Sequence, residues 1–178
     1  GHRGGGGTVK LFAIYIGGEV VGANIELHDM RFIAAPSMRH THDELRRQWW
    51  GIPESLHIDC WAEITHADGY KVELKPEPFR GREKLYFVNL GGYDPAEFAE
   101  RHQNVFVVAD SLTKAKAQAM RAVQGWNELH RDEMYEAEQA FCLNETIDSE
   151  RLYIHMTPGG SNEPLSFSCR YNPIGKKS

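Results

Sequence analysis

The stretch "KLFAIYIGG" beginning at Lys10 returns as "KLYFVNLGG" beginning at Lys84. Residues 10–51 set against 84–125 without gaps, an offset of 74 (84 − 10), share eleven identities in 42 positions. They are Lys10/Lys84, Leu11/Leu85, Gly17/Gly91, Gly18/Gly92, Glu26/Glu100, His28/His102, Phe32/Phe106, Ala35/Ala109, Ser37/Ser111, Arg47/Arg121 and Gly51/Gly125. Chance at ordinary residue frequencies gives about two or three. One deleted residue later "LHIDCWAE" (Leu56–Glu63) meets "LHRDEMYE" (Leu129–Glu136), and "KVELKP" (Lys71–Pro76) resembles "YIHMTP" (Tyr153–Pro158). An internal duplication constrains the fold strongly, because whatever the first half forms the second half is expected to form as well.

Each half reads as β-β-α-β-β. A short apolar strand (Leu11–Ile16; Leu85–Leu90) runs into a Gly-Gly pair read as a turn. In the second copy "YDPAEFAERHQ" predicts a short helix, with Asp94 as N-cap and Pro95 at its first position. A second strand follows (Met30–Ala35; Asn104–Ala109), then a helix with Ser37 or Ser111 at its N-cap and Gly51 or Gly125 as its C-cap. "LTKAKAQAMRAVQGW" is rich in helix formers, and its counterpart "MRHTHDELRRQWWG" predicts a weaker helix from about Thr41. Leu56, Ile58, Cys60, Ala62 and Ile64 alternate with polar neighbours as a half-buried strand, and Asp68-Gly69 suits a type I′ hairpin. One such unit with a single long helix covers its sheet poorly. The expectation is therefore an α+β fold of two tandem β-β-α-β-β repeats packed as one pseudo-twofold domain, with a mixed or antiparallel sheet and helices on one side. The segments are a flexible lead or cloning remnant at 1–9, repeats at 10–76 and 84–158, a linker at 77–83, and a C-terminal tail at 159–178.

Twenty Lys and Arg against 25 Asp and Glu give a net charge of −5, and the basic residues are scattered. That balance argues against a nucleic-acid partner or an anionic membrane surface. No apolar run approaches the roughly 20 residues of a membrane span, and no signal-like leader is visible. Cys60, Cys142 and Cys169 form no metal knuckle and suggest no disulfide framework, so a reducing cytoplasm is expected.

"KLFxIxIGG", the E-x-H before the second strand, "LHIDCWAEITHADGY" and "KLYFVNLGGYDPAEFAERH" together resemble a small bacterial family known as domain of unknown function 1543. The resemblance spans most of residues 10–158. It implies the fold and one or two copies of the unit per chain, and it brings no activity and no catalytic residue.

The duplication itself nominates residues. Core positions and turn glycines explain themselves, whereas polar side chains retained on an exposed face need another reason. On the third strand these are His57/His130, Asp59/Asp132 and Glu63/Glu136, sharing one face because strand side chains alternate. His28 and His102, at the end of the connection between strands one and two, would add one histidine to each set. A His and an Asp two residues apart lie about 7 Å apart along a strand, too far for a direct hydrogen bond but close enough to converge on a ligand. The competing readings are a solvated polar face and, for His28 and His102, a helix C-terminus. Two ligands alone make no zinc site, so no metal and no cofactor is assigned. "HTHDE" (His40–Glu44) occurs only in the first copy and reads as a helix N-terminus; no nucleophile motif is present.

These features point first to a cytoplasmic, non-catalytic module that binds a small ligand or a protein in the groove between repeats, with a homodimer through open sheet edges. The alternative is a metal-dependent, hydrolase-like enzyme using the repeated His/Asp set.

Overall fold

A computed structural model of the chain describes residues 8–127, 134–146 and 152–176. In chain order its elements are β1 (Lys10–Gly18), β2 (Leu27–Ala35), α1 (His42–Gln48), β3 (His57–Glu63), β4 (His66–Ala67), β5 (Tyr70–Lys75), β6 (Lys84–Tyr93), β7 (Glu100–Ala109), α2 (Leu112–Asn127), β8 (Met134–Cys142), α3 (Leu143–Thr146), β9 (Tyr153–Pro158) and β10 (Ser168–Pro173). All strand pairings are antiparallel, in an α+β mixture with few helices. None of the described helices is long and apolar enough to cross a membrane.

The chain divides into two compact units, Gly1–Thr65 with Pro164–Ser178, and His66–Glu163. The boundary between these units falls after Thr65, ahead of the β4–β5 hairpin. The reason lies in strand pairing. β4 and β5 join through Asp68 (φ 55°) and Gly69 (φ 82°), the two positive φ angles that a type I′ hairpin requires. β5 then pairs along its whole length with β9, from Tyr70↔Pro158 to Lys75↔Tyr153, so "KVELKP" and "YIHMTP" are hydrogen-bonded partners.

The first unit is a four-stranded sheet in the order β10-β3-β1-β2. Phe12, Ile14 and Ile16 alternate along β1 and pack with Ile33, Ala35, Leu45, Trp49, Leu56, Ile58 and Ile174. Helix α1 supplies Leu45 and is followed by Trp49, buried and stacked on the exposed Trp50. In the second unit, the sheet β7-β6-β8 packs Tyr86, Val88 and Leu90 against Val107, Ala109 and the buried α2 residues Ala115 and Ala119. Ser111 caps α2, accepting from the Lys114 N–H through Oγ.

Several expectations change here. Gly17 and Gly18 are the last two paired residues of β1 and Gly91-Gly92 lie inside β6, so both pairs belong to strands and neither is the turn itself. A Cβ on Gly18 would fall 2.7 Å from Trp49 Cζ2 and 2.9 Å from Ser55 Oγ, so close packing explains this glycine. Gly51 does not cap α1, whose C-cap is Trp49; a Cβ there would meet the Trp49 ring and Glu19 O. Gly125 lies within α2. Ser37 precedes a 3-10 turn (Met38–Thr41) without capping it, and its Oγ meets His40 Nδ1 at 2.7 Å. No helix follows Asp94, whose side chain accepts from the Ala96 N–H in a local turn.

Part of the tail, Ser168–Pro173, forms a strand. Strand β10 extends the first sheet, and Cys169 stands opposite Cys60 in a disulfide. That bond runs against the expectation of a reducing compartment, where such bonds rarely persist. Spacing could not suggest it because the two cysteines are 109 residues apart.

Candidate metal centre

The site forms at one end of the first sheet, where three strands meet at Gly17. Across β1–β2 the register pairs Gly17 with His28, and across β1–β3 it pairs Gly17 with His57. Directly opposed residues in antiparallel strands project to the same face, so two histidines flank a residue with no side chain. A Cβ on Gly17 would lie 2.5 Å from His28 Cδ2 and 3.0 Å from His57 Nε2. Only glycine leaves the two rings this room.

A bulge supplies the third group. The β1–β3 register shifts between Tyr15 and Ile16, which pair with Cys60 and Ile58 and leave Asp59 as the extra residue. A bulge re-aims a side chain. Asp59 Oδ2 lies 3.2 Å from both His28 Nε2 and His57 Nε2, despite the 7 Å spacing a regular strand would impose. Glu26, in the residue just before β2, brings Oε2 to 3.6 Å from the same two nitrogens. The Glu26, His28 and His57 donor atoms all lie within 4.8 Å of one another, and they are the group with metal-holding geometry among the described residues.

Burial is graded across the four. The side chain of His57 is 1% exposed, Asp59 25%, His28 35% and Glu26 45%. The Tyr171 ring of β10 covers His57 at 4.5 Å, and Tyr15 stacks on His28 at 5.2 Å. Burial raises the Tyr15 phenol above its usual range, helped by the Asp59 and Asp29 carboxylates, so it stays un-ionised. Asp29 itself is engaged by Arg31.

The proton arrangement shows what the cluster lacks. His57 Nδ1 lies 3.1 Å from the Ser55 carbonyl, which can only accept, so Nδ1 carries the proton. The neutral ring then turns its Nε2 lone pair toward Asp59 Oδ2, and two acceptors face each other. Asp59 Oδ2 is buried and has no hydrogen-bond partner among the described residues. A cation between the groups resolves the conflict, either a metal ion or a second proton on the imidazole.

Distances favour the metal. Ligand atoms at about 2.0–2.2 Å from a tetrahedral zinc ion lie roughly 3.3–3.6 Å from one another. The four nitrogen–oxygen separations are 3.2, 3.2, 3.6 and 3.6 Å, and the residues whose ligand atoms all lie within 4.8 Å of one another are Glu26, His28 and His57, with Asp59 beside the two histidines. Charge-assisted N–H···O bonds are shorter, about 2.7–2.9 Å. The Ser55 carbonyl holding Nδ1 is also the usual outer partner of a metal-bound histidine, fixing the tautomer that leaves Nε2 free.

Of the residues nominated from sequence, His28, His57 and Asp59 come together. His28 sits in β2, not at a helix end, and the bulge at Asp59 is what brings the carboxylate in. Glu63 does not join them; it pairs with Lys10 at 3.6 Å. His102 stands in β7 opposite Gly91, with its Nε2 3.6 Å from Glu100. His130 and Asp132 lie outside the described residues, as does the Glu136 side chain. The backbone register pairs Glu136 with Gly91, and a shift between Asn89 and Leu90 leaves Glu138 as the extra residue. Glu136 thus holds the position opposite glycine that His57 holds in the first unit, an offset of 79 (136 − 57), where sequence matching had aligned His130 at 73 (130 − 57). Glu26 is the residue that sequence reasoning missed, although its identity with Glu100 was a visible signal.

A family profile described as Domain of Unknown Function (DUF1543) matches residues 23–74, which include all four site residues. No curated protein matches the chain. Among solved structures the chain is similar to that of a protein Il1583 from Idiomarina loihiensis, with 33% identity, a TM-score of 0.71, and coverage of 94% of this chain and 99% of the other. Identity at that level over nearly the whole of both chains reflects common descent as well as common fold, and the chain belongs to the family described as Domain of Unknown Function (DUF1543).

Proposed function

We propose that the chain is a metal-binding module whose ion, of the zinc class, is held in the first unit by His28 Nε2, His57 Nε2, Asp59 and Glu26. The observation that carries this reading is the buried Asp59 Oδ2 facing two imidazole nitrogens at 3.2 Å with no hydrogen-bond partner among the described residues. Two imidazoles and two carboxylates suit a borderline ion such as Zn²⁺ or Co²⁺ better than the all-oxygen preference of Ca²⁺ or Mg²⁺.

We also read the two halves as an internal duplication. The reading is supported by Gly17↔His28 and Gly91↔His102, and by register shifts at Tyr15/Ile16 and Asn89/Leu90, each pair separated by 74. On that reading Glu136 replaces His57 in the second unit, and the two-histidine set is particular to the first.

The test is metal content and affinity. Elemental analysis of the purified chain, followed by calorimetric titration of the stripped protein with Zn²⁺, is expected to give one ion per chain. His57→Ala and His28→Ala are expected to abolish it. No metal in the purified protein and no heat on titration would overturn the proposal.

A further inference from the structure

The four groups are unequal, and the inequality indicates what the site takes besides the ion; this step rests on the metal reading of the same site. His28, His57 and Asp59 are strand residues, and Asp59 lies 3.2 Å from both nitrogens. Glu26 lies at 3.6 Å, is the most exposed of the four, and belongs to the β1–β2 connection, not to a strand. That connection contains Gly22 at φ 90° and the exposed side chains of Val21 and Ile25. Few contacts therefore oppose a swing of Glu26 away from the ion, whereas displacing His57 or Asp59 would disturb the sheet.

Charge decides what would replace it. A divalent ion with two neutral imidazoles and the Asp59 carboxylate carries a formal +1, which the Glu26 carboxylate neutralises. With Glu26 swung out, the ion presents one open position and one uncompensated positive charge toward solvent. We infer that Glu26 is an exchangeable ligand, and that a small oxyanion, through a carboxylate or phosphate oxygen, takes its place on the ion. The exchange is a ligand substitution: one metal–oxygen bond breaks, another forms, and no proton or electron moves. Glu26 then acts as an internal competitor, setting how much anion is needed to occupy the site.

The experiment uses the full chain loaded with Co²⁺, freed of excess metal, and followed by its visible absorption during titration with inorganic phosphate or, separately, acetate. Wild type is expected to respond to at least one anion, and the two arms tell phosphate from carboxylate preference. Glu26→Ala is expected to retain Co²⁺ within about tenfold of wild-type affinity and to respond at anion concentrations lower by about tenfold or more, because the internal competitor is gone. Two results would overturn the inference while leaving the metal reading intact: Glu26→Ala losing Co²⁺ as completely as His57→Ala, or spectra of both wild type and Glu26→Ala that neither anion changes. Failure of wild type to bind Co²⁺ or Zn²⁺ at all would overturn both.

Discussion

Gly17 faces His28 across β1 and β2, and a Cβ on Gly17 would lie 2.5 Å from His28 Cδ2 and 2.8 Å from its Nε2. The same Cβ would crowd His57 on the other side, so one absent side chain sets the separation of both imidazoles. Gly17→Ala is expected to keep the sheet while forcing the rings apart. Overpacking of this kind costs about 1–3 kcal/mol. The prediction is a lowered melting temperature with unchanged far-ultraviolet circular dichroism, together with loss of the melting-temperature rise produced by Zn²⁺. An alanine variant that binds Zn²⁺ as wild type does would refute it.

The disulfide carries the next prediction. Cys60 follows Asp59 directly, and Cys169 ties the β10 strand that bears Tyr171 over His57. The other end of β10 is held without covalent bonds, by buried Ile174 and by the Arg46 Nε–H donating to Ile174 O at 2.6 Å. Losing a cross-link that closes a long loop costs about 2–5 kcal/mol. Cys60→Ser with Cys169→Ser is therefore expected to unfold at lower denaturant concentration than the oxidised chain. Thiol titration of the unreduced wild type in denaturant should find one thiol, that of the buried Cys142, which lies outside the disulfide. Three free thiols in protein purified under oxidising conditions would contradict the pairing.

Much of the fold was legible because strands announce themselves locally. The apolar runs at Leu11 and Leu85 and the Asp68-Gly69 hairpin depend on neighbours in sequence, and the structure carries each of them. The alternating stretch from Leu56 does form β3, but the register shift sets Ile58 opposite Ile16 and Cys60 opposite Tyr15, on opposite faces. The glycines misled because sequence does not separate a glycine needed for a turn from one needed for close approach. Gly17 is explained by His28 and His57, 11 and 40 residues away (28 − 17; 57 − 17). The site was half legible for the same reason. The repeated E-x-H and the H-x-D at His57 drew attention to the right strands, but a bulge is invisible in an alternating pattern. Without it Asp59 stays out of reach of His57. The matching of His57 with His130 followed residue identity, whereas strand register places Glu136 opposite Gly91.

Helix α1 gives a pH prediction. Burial lowers His42 below its ordinary value of 6.5; Arg46 and Arg39 push the same way, and Asp43 opposes them. The folded chain therefore disfavours the imidazolium, and below that value the unfolded chain binds more protons. Stability from this group is complete above about 6.5 and is lost as pH falls through the range beneath it. Denaturant midpoints measured from about pH 5 to about pH 8 should rise with pH, and His42→Gln should flatten part of that rise. An identical slope in the variant would show that His42 does not contribute.

Asp59→Asn separates the two cations that could occupy the space between Asp59 and His57. If a second proton on His57 resolves the conflict, Asp59 is the counter-ion of an imidazolium, and its replacement by a neutral amide should destabilise the metal-free chain, most strongly in acid. If a metal ion resolves it, the metal-free chain instead carries an acceptor facing two imidazoles without a hydrogen bond. An asparagine amide can donate into that gap toward an Nε2 lone pair. The metal reading thus predicts that Asp59→Asn in chelator is at least as stable at neutral pH as wild type in chelator. It also predicts that Zn²⁺, which raises the wild-type melting temperature by mass action, raises that of the variant less at the same Zn²⁺ concentration. Affinity should fall by about tenfold or more, since the ion loses its least exposed carboxylate. Melting curves of both proteins with Zn²⁺ and with chelator decide the matter. A destabilised Asp59→Asn chain with an undiminished zinc response would refute the assignment of Asp59 as a ligand.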